Sequence, residues 1–306
     1  MDRYEFELLK YLEKQIETEV VYSARLFSDR LNISGTQLNE SLDLTVENGW
    51  VEKQDDIVRI TSAGLEALEP YRVKRAVIFA AGFGSRMVPV TLDTPKPLVN
   101  VNGERIIDRL LDALIAIGID DVTLVRGYKK EKFDVLLDKY PFVKLVDNDI
   151  YDKTNNISSA ISVLDKIDEC YICEADLLVA NPDIIEKYQF ASNYLGSYSL
   201  ETDDWCFDES EGRLRNYRKG GRYCYNAYGI SYWTKADSKK LRADLKKCYE
   251  EPGGDDIFWE FVPIVKLADE YNVEIRKCHK SDITEIDNFY ELVEIDSSYA
   301  DYPGQD

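Results

Sequence analysis

A single histidine, His279, stands in 306 residues. A Ser–His or Cys–His nucleophile system would have to be built on that one side chain, between Cys278 and Lys280, so nucleophilic catalysis of that kind is not expected. Cysteines number six and are scattered, which excludes a disulfide framework and points to a reducing, cytoplasmic setting. Cys170 and Cys173 fall in one apolar strand with their thiols on opposite faces, and no second pair has zinc spacing. No run approaches the roughly 18 consecutive apolar residues of a membrane helix. The opening Met1-Asp2-Arg3-Tyr4-Glu5 lacks a basic cap followed by an apolar stretch, so no signal peptide is expected. Basic charge is also short: 38 Lys and Arg against 58 Asp and Glu leave a net charge of −20. A field of that sign argues against a general nucleic-acid or anionic-membrane binder. It leaves room for an anionic substrate held by a local cluster of cations.

What is present reads as two soluble domains, 1–72 and 73–306. In the first, Tyr4, Leu8, Tyr11, Leu12 and Ile16 recur at helical spacing. A second helix is expected from Ser23, with Ala24, Phe27 and Leu31 on one side. A third begins at Ser34, with Gln37 completing a capping box, Leu38, Leu42, Thr45 and Val46 facing inward, and Gly49 closing it. Strands at 50–53 and 57–61 and a helix at 62–68 follow. This is the order of a winged helix-turn-helix. The expected recognition helix, 34–48, has no Lys or Arg but carries Glu40, Asp43 and Glu47, and residues 1–72 hold 8 basic and 15 acidic residues. That composition argues against DNA and for self-association or docking to another protein.

From residue 73 strands alternate with helices: strands at 73–80, 122–125, 143–146 and 170–173, helices around 106–117, 129–140 and 156–164. The alternation predicts an α/β fold with a mostly parallel sheet, helices on both faces and ligands at the carboxyl ends of the strands. Strands at 214–217 and 223–232 and helices at 236–249 and 256–271 extend it, and a frayed tail is expected at 301–306.

The first strand runs into Ala80-Ala81-Gly82-Phe83-Gly84-Ser85-Arg86. Two glycines two apart let the backbone approach a phosphate closely. Arg86 adds a bidentate cation and Lys96, between Pro95 and Pro97, a second. Met87 stands where a dinucleotide fingerprint needs its third glycine, and there is no Walker G-K-[ST]. The full string G-x-G-S-R-x-x-P-x-T-x-x-x-P-K-P-L resembles the signature of sugar-phosphate nucleotidyltransferases. Asn148-Asp149, Asn155 to Ser159, Glu174-Ala175-Asp176, Asp203-Asp204-Trp205 and Asp255 to Trp259 occur in the order found in bacterial CTP:phosphocholine cytidylyltransferases. The resemblance covers about residues 73–296.

The resemblance implies a Rossmann-like nucleotidyltransferase domain that uses Mg²⁺ to move CMP from CTP to phosphocholine, releasing pyrophosphate. It implies Arg86, Lys96 and Asp176 as catalytic residues, and Asp176 with Asp287 as metal ligands, Glu285 in addition. Nucleotide contacts are expected from Ala81, Gly82, Gly84, Ser85, Arg86, Lys96, Gly127, Tyr128, Asn156, Ser158 and Ser159. Trp205, Asp256, Phe258 and Trp259 are expected to hold the choline head, because a trimethylammonium group is bound by aromatic faces with carboxylates nearby. The alternatives are another acceptor (2-aminoethylphosphonate, phosphoethanolamine or a sugar 1-phosphate), or a winged-helix regulator that senses ligand through a transferase domain. A third reading keeps the enzyme and gives residues 1–72 to a homo-oligomer or to docking a kinase of the same pathway.

Overall fold

The computed structural model describes residues 1–302. They form two compact units: Met1–Arg72 with Lys187–Phe190, and Val73–Glu186 with the chain from Ala191 onward.

The first unit begins with α1, Arg3–Lys14. Asp2 accepts the Glu5 N–H at 2.9 Å and Glu5 accepts the Asp2 N–H at 2.7 Å, so two orphan donors of the first turn are satisfied reciprocally. Ile16 lies beyond the helix end and is exposed, contrary to its expected place on the inner face. A short strand not foreseen in the sequence, β1 (Val20–Val21), precedes α2 (Ala24–Leu31) and α3 (Gly35–Glu47). Ser34 caps α3 by accepting the Gln37 N–H, but Gln37 Oε1 accepts from the Ser34 hydroxyl at 2.8 Å and not from its backbone N–H, so only half of the expected capping box forms. Val46 is exposed rather than inward, whereas Gly49 sits just past the helix at φ +69°. Strands β2 (Val51–Gln54) and β3 (Ile57–Ile60) lead to α4 (Ser62–Leu68), and the antiparallel order is β1-β3-β2. Residues 187–190 depart from a division at residue 72: Tyr188 belongs to this unit's core, and Phe190 stacks on Tyr71 at 5.5 Å.

The second unit opens with β4, Arg75–Ala80. Its run is apolar without alternation because both faces are covered: Ala76, Ile78 and Ala80 enter one core, Val77 and Phe79 the other. A small hairpin, β5 (Asn100–Val101) and β6 (Glu104–Arg105), leads into α5 (Ile106–Ala116) and β7 (Asp121–Arg126). The helix expected at 129–140 is a 3₁₀ segment, Lys130–Val135, followed by one α-turn, α6 (Leu136–Lys139). Then come β8 (Val143–Asp147), α7 (Ile157–Ser162), β9 (Cys170–Glu174) and β10 (Leu177–Val179). The strands expected at 214–217 and 223–232 are parts of one irregular strand, β12 (Arg213–Trp233), paired with an unforeseen β11 (Asn193–Ser210). The polar run Glu201-Thr202-Asp203-Asp204 hides the alternation that would have revealed β11. After α8 (Lys235–Tyr249), the helix expected at 256–271 is absent. Ile257 is extended, and Pro263 enters a short π-turn, Val262–Lys266, where it has no N–H to continue a helix from upstream. β13 (Glu274–Cys278), β14 (Ile283–Glu285) and α9 (Phe289–Ile295) complete the unit. Of the tail expected to be irregular, residues 303–306 lie outside the described residues.

The seven-stranded sheet has the order β11-β13-β12-β9-β4-β7-β8, with β9, β4, β7 and β8 mutually parallel. Leu110 and Leu136 pack on one face and Ile157 and Leu241 on the other, so helices cover both. The carboxyl ends are level: Ala80 pairs with Arg126, Arg126 with Asp147, and Phe79 with Glu174. The loop after β4, Glu174 and Asp176 lie at or beyond that edge.

Candidate active site

The loop after β4 turns at Gly84, which has φ +68°. A Cβ there would lie 3.1 Å from Lys96 Cβ and 3.2 Å from Thr91 Cγ2, so glycine serves both the conformation and the close approach. Thr91 fixes the turn by donating to the Gly84 carbonyl at 2.9 Å. Gly82 is different: its φ is not positive and an added Cβ would meet nothing within 4 Å, so it opens on the cleft and is not needed by the turn.

Three adjoining cavities follow the sheet edge. The first, about 280 Å³, lies over the loop between Gly82, Ser85, Arg86, Lys96, Asp176 and Asp287. Lys96 is 6% exposed, and its Nζ lies 2.7 Å from Asp176 Oδ2 and 3.9 Å from Asp287 Oδ1. Arg86 Nη2 lies 2.8 Å from Asp287 Oδ1. Burial by itself would lower the Lys96 pKa, but Asp176, Glu285 and Asp287 outweigh it and hold the ammonium above its ordinary value. Burial likewise works against the Asp176 carboxylate, yet the neighbouring Lys96 holds it below the usual range. Glu285 has the opposite fate: burial, with Asp176 and Asp287 beside it, pushes its pKa well up.

The second cavity, about 360 Å³, is lined by Ala81, Gly82, Asn148, Tyr151, Asn156, Ser158, Ser159 and Asp256. Asn148 donates to Ser158 Oγ at 2.9 Å and Ser159 Oγ at 3.1 Å, which orders the first turn of α7. Gly127 and Tyr128, expected to touch the base or ribose, line none of the three cavities. A Cβ on Gly127 would meet the Tyr151 ring and the Ala81 carbonyl, and Tyr128 donates to the Thr91 carbonyl at 2.9 Å. Both brace the loop from behind. Asp256 faces this second cavity and not the aromatic one to which the sequence assigned it.

The third cavity, about 460 Å³, has an aromatic wall and acidic lining. The Trp205 and Tyr217 rings stack at 5.1 Å and 11°, and Phe258 meets Trp205 edge-on at 5.6 Å. Glu174, Asp204, Glu260 and Glu285 supply carboxyl groups. Trp259, expected here, is a core residue: it is 2% exposed and packs between Phe79 and Trp233, each ring 6.0 Å away. The expected helix would have turned it with its neighbours; the extended backbone at Ile257 sends Phe258 to the cavity and Trp259 inward.

Glu174 lines all three cavities, and sequence reasoning missed it. It accepts from Asn156 Nδ2 at 3.3 Å, and Gly229 leaves it room, since a Cβ there would fall 2.4 Å from Glu174 Cγ. Burial raises its pKa well above the ordinary value, with Glu260, Asp176 and Glu285 adding. Glu260, Tyr217 and Tyr194 were also missed. The signal available was the end-of-strand position of Glu174, two residues before Asp176; Tyr194 and Glu260 came from segments read with the wrong structure, whereas Tyr217 lies in an expected strand whose pairing with β11 was not foreseen.

Residues 76–204 match the MobA-like NTP transferase domain. Over 229 residues the chain is 37% identical to the 2-aminoethylphosphonate cytidylyltransferase of Lancefieldella rimae, a match that spans 74% of this chain and 93% of that protein. The chain belongs to the nucleotidyltransferase family. Within it, the choline-phosphate cytidylyltransferase of Streptococcus pneumoniae is 30% identical over 219 residues, 70% of this chain and 93% of the relative. The solved structure of the CTP:phosphocholine cytidylyltransferase from Streptococcus pneumoniae superposes with a TM-score of 0.69 at 28% identity, covering 74% of this chain and 99% of that one. The mostly parallel α/β architecture is that of the nucleotidyltransferases. The acceptors named for these relatives differ.

Among the described residues no group of three or more His, Cys, Asp or Glu side chains is placed to hold a metal ion by itself. Asp176 and Asp287 both approach Lys96 Nζ, and Glu285 lies close enough to feel both charges. An oxygen-only set of one or two carboxylates, open on one side to phosphate oxygens and water, fits Mg²⁺.

Proposed function

We propose that the protein transfers CMP from CTP to a small acceptor with a phosphate or phosphonate at one end and an ammonium group at the other, releasing pyrophosphate. The observation that carries this reading is the shared wall. Arg86, Glu174 and Asp176 line both the phosphate-loop cavity and the aromatic, acidic cavity, so an anionic head and a cationic tail have places on either side of one metal edge. Phosphocholine and 2-aminoethylphosphonate both have that form. The aromatic faces and carboxyl groups of the third cavity suit an ammonium group.

In this reading the nucleoside lies in the second cavity, near Asn156, Ser158 and Ser159, and the triphosphate crosses the loop. Gly84 keeps the backbone close to the phosphates. Arg86 and Lys96 meet the charge that grows on the leaving pyrophosphate. Asp176 and Asp287 would hold Mg²⁺, with Glu285 beside them, and the ion would neutralise phosphate oxygens. The acceptor's phosphate or phosphonate is the nucleophile and is ionised near neutral pH, so no general base is needed. Catalysis is positioning and charge neutralisation. Trp205, Tyr217 and Phe258 receive the ammonium group.

For residues 1–72 we propose a winged-helix module used for protein docking or self-association. The exposed face of α3 carries Glu40, Asp43 and Glu47 and no basic residue, which favours a basic protein surface over DNA. The test of the enzymatic reading is pyrophosphate release with Mg²⁺ across CTP, UTP, ATP and GTP, against 2-aminoethylphosphonate, phosphoethanolamine, phosphocholine and glucose 1-phosphate. Turnover with CTP and an amino acceptor is expected; turnover with glucose 1-phosphate alone would overturn the acceptor assignment.

A further inference from the structure

Glu260 is 5% exposed and lines the third cavity, and its Oε2 atom is buried without a hydrogen-bond partner. A carboxylate oxygen shut away from water with nothing to accept from is costly, and a ligand that donates to it removes the cost. The Asn156 amide and the Trp259 indole lie near enough to hold the Glu260 carboxyl down somewhat, but neither makes a hydrogen bond to Oε2: Asn156 Nδ2 donates to Glu174, Asn156 Oδ1 accepts from the Trp259 backbone N–H at 2.9 Å, and the Trp259 Nε1 is itself unpaired. The facing wall of Trp205, Tyr217 and Phe258 attracts a cation but offers it no acceptor atom comparable to a carboxylate. Aromatic faces serve a quaternary and a primary ammonium alike. The orphaned oxygen does not, because only an ammonium that carries N–H can donate to it.

We propose that Glu260 is a specificity-determining residue that selects acceptors with an N–H-bearing ammonium, primary aminoalkyl phosphates or phosphonates, over quaternary ones. The inference rests on the acceptor reading given above. A trimethylammonium group would bring its charge to the cavity and leave Oε2 dry, which is the situation in which sites built for a hydrogen bond reject the analogue lacking it.

The test is kcat/KM of the full chain with CTP and Mg²⁺ along one series: phosphoethanolamine, its N-methyl and N,N-dimethyl derivatives, and phosphocholine. The expected result is a stepwise fall, with phosphocholine on the order of 10²-fold below phosphoethanolamine. Glu260→Gln should raise KM for phosphoethanolamine about tenfold, leave KM for CTP unchanged, and bring the primary-to-quaternary ratio close to one. Glu260→Asp should keep part of the discrimination. Equal or better use of phosphocholine by the wild type, or an unchanged ratio in Glu260→Gln at an unchanged melting temperature, would overturn the proposal. Should no acceptor release pyrophosphate, the enzymatic reading fails on its own. Calorimetric titration of phosphoethanolamine and phosphocholine into the CTP-loaded protein then decides this one: tighter binding of the primary amine supports it, and equal binding overturns it.

Discussion

Leu177 stands opposite Glu285 in the antiparallel pairing of β10 with β14, and this register carries Asp287 to within 3.9 Å of the Lys96 ammonium that holds Asp176 at 2.7 Å. Two acidic segments far apart in the chain thereby face one cation and one phosphate loop. Asp176→Asn should lower turnover at least ~10³-fold with little change in the urea midpoint. Pyrophosphate release near the wild-type rate would remove Asp176 from the reaction.

Lys96 neutralises charge from a nearly buried position, so its loss should be felt twice. Lys96→Met leaves Asp176, Glu285 and Asp287 without their nearest cation. The expected cost is about 2 kcal/mol in urea unfolding, discounted for the partial exposure of Asp176, together with a fall in kcat. A variant as stable as the wild type would show that the carboxylates relax away from each other.

Gly229 lines the third cavity and sets the place of Glu174. Gly229→Ala would put a methyl 2.4 Å from Glu174 Cγ. Gly229→Ala should raise KM for the acceptor and reduce kcat, with the protein still folded by circular dichroism. Unaltered kinetics would mean that Glu174 can move without consequence.

The two tryptophans should separate cleanly. Trp205→Ala removes a cavity wall and should raise acceptor KM about tenfold, with KM for CTP unchanged. Trp259→Ala removes a core side chain and should cost about 3–5 kcal/mol, read as a lower melting temperature. The reverse pattern would restore Trp259 to the acceptor site.

Burial raises the Glu260 carboxyl from 4.5 to about 7, with its own backbone N–H and the Asn156 and Trp259 side chains pulling partly back. Between those values the folded chain keeps a proton that the unfolded chain has released. The contribution therefore favours folding at the acidic end and is lost as pH rises to about 7, by at most ~3 kcal/mol. Glu174 and Glu285, also raised, act in the same direction. Urea unfolding from pH 5 to 7.5 should show stability falling with pH, and falling less in Glu260→Gln. Parallel curves for the two proteins would show Glu260 ionised throughout.

The chain's local chemistry was open to reading before any folding. An unbroken apolar run announces a strand covered on both faces, which is why β4 and β9 were legible. Gly84 and Arg86 follow β4 and Asp176 follows β9, with Lys96 farther along the loop after β4, and their role follows from position at a strand's carboxyl end. The acceptor side resisted because its residues depend on backbone that sequence periodicity does not report. The polar run 201–204 concealed β11, and Pro263 ended a helix before it could form, which turned Trp259 into the core and left Phe258 facing the cavity. The meeting of Asp287 with Asp176, and the shielding of Glu260 from water, arise from pairing and packing between distant segments. Charge and burial there depend on what each group faces, and a linear order of residues does not contain that.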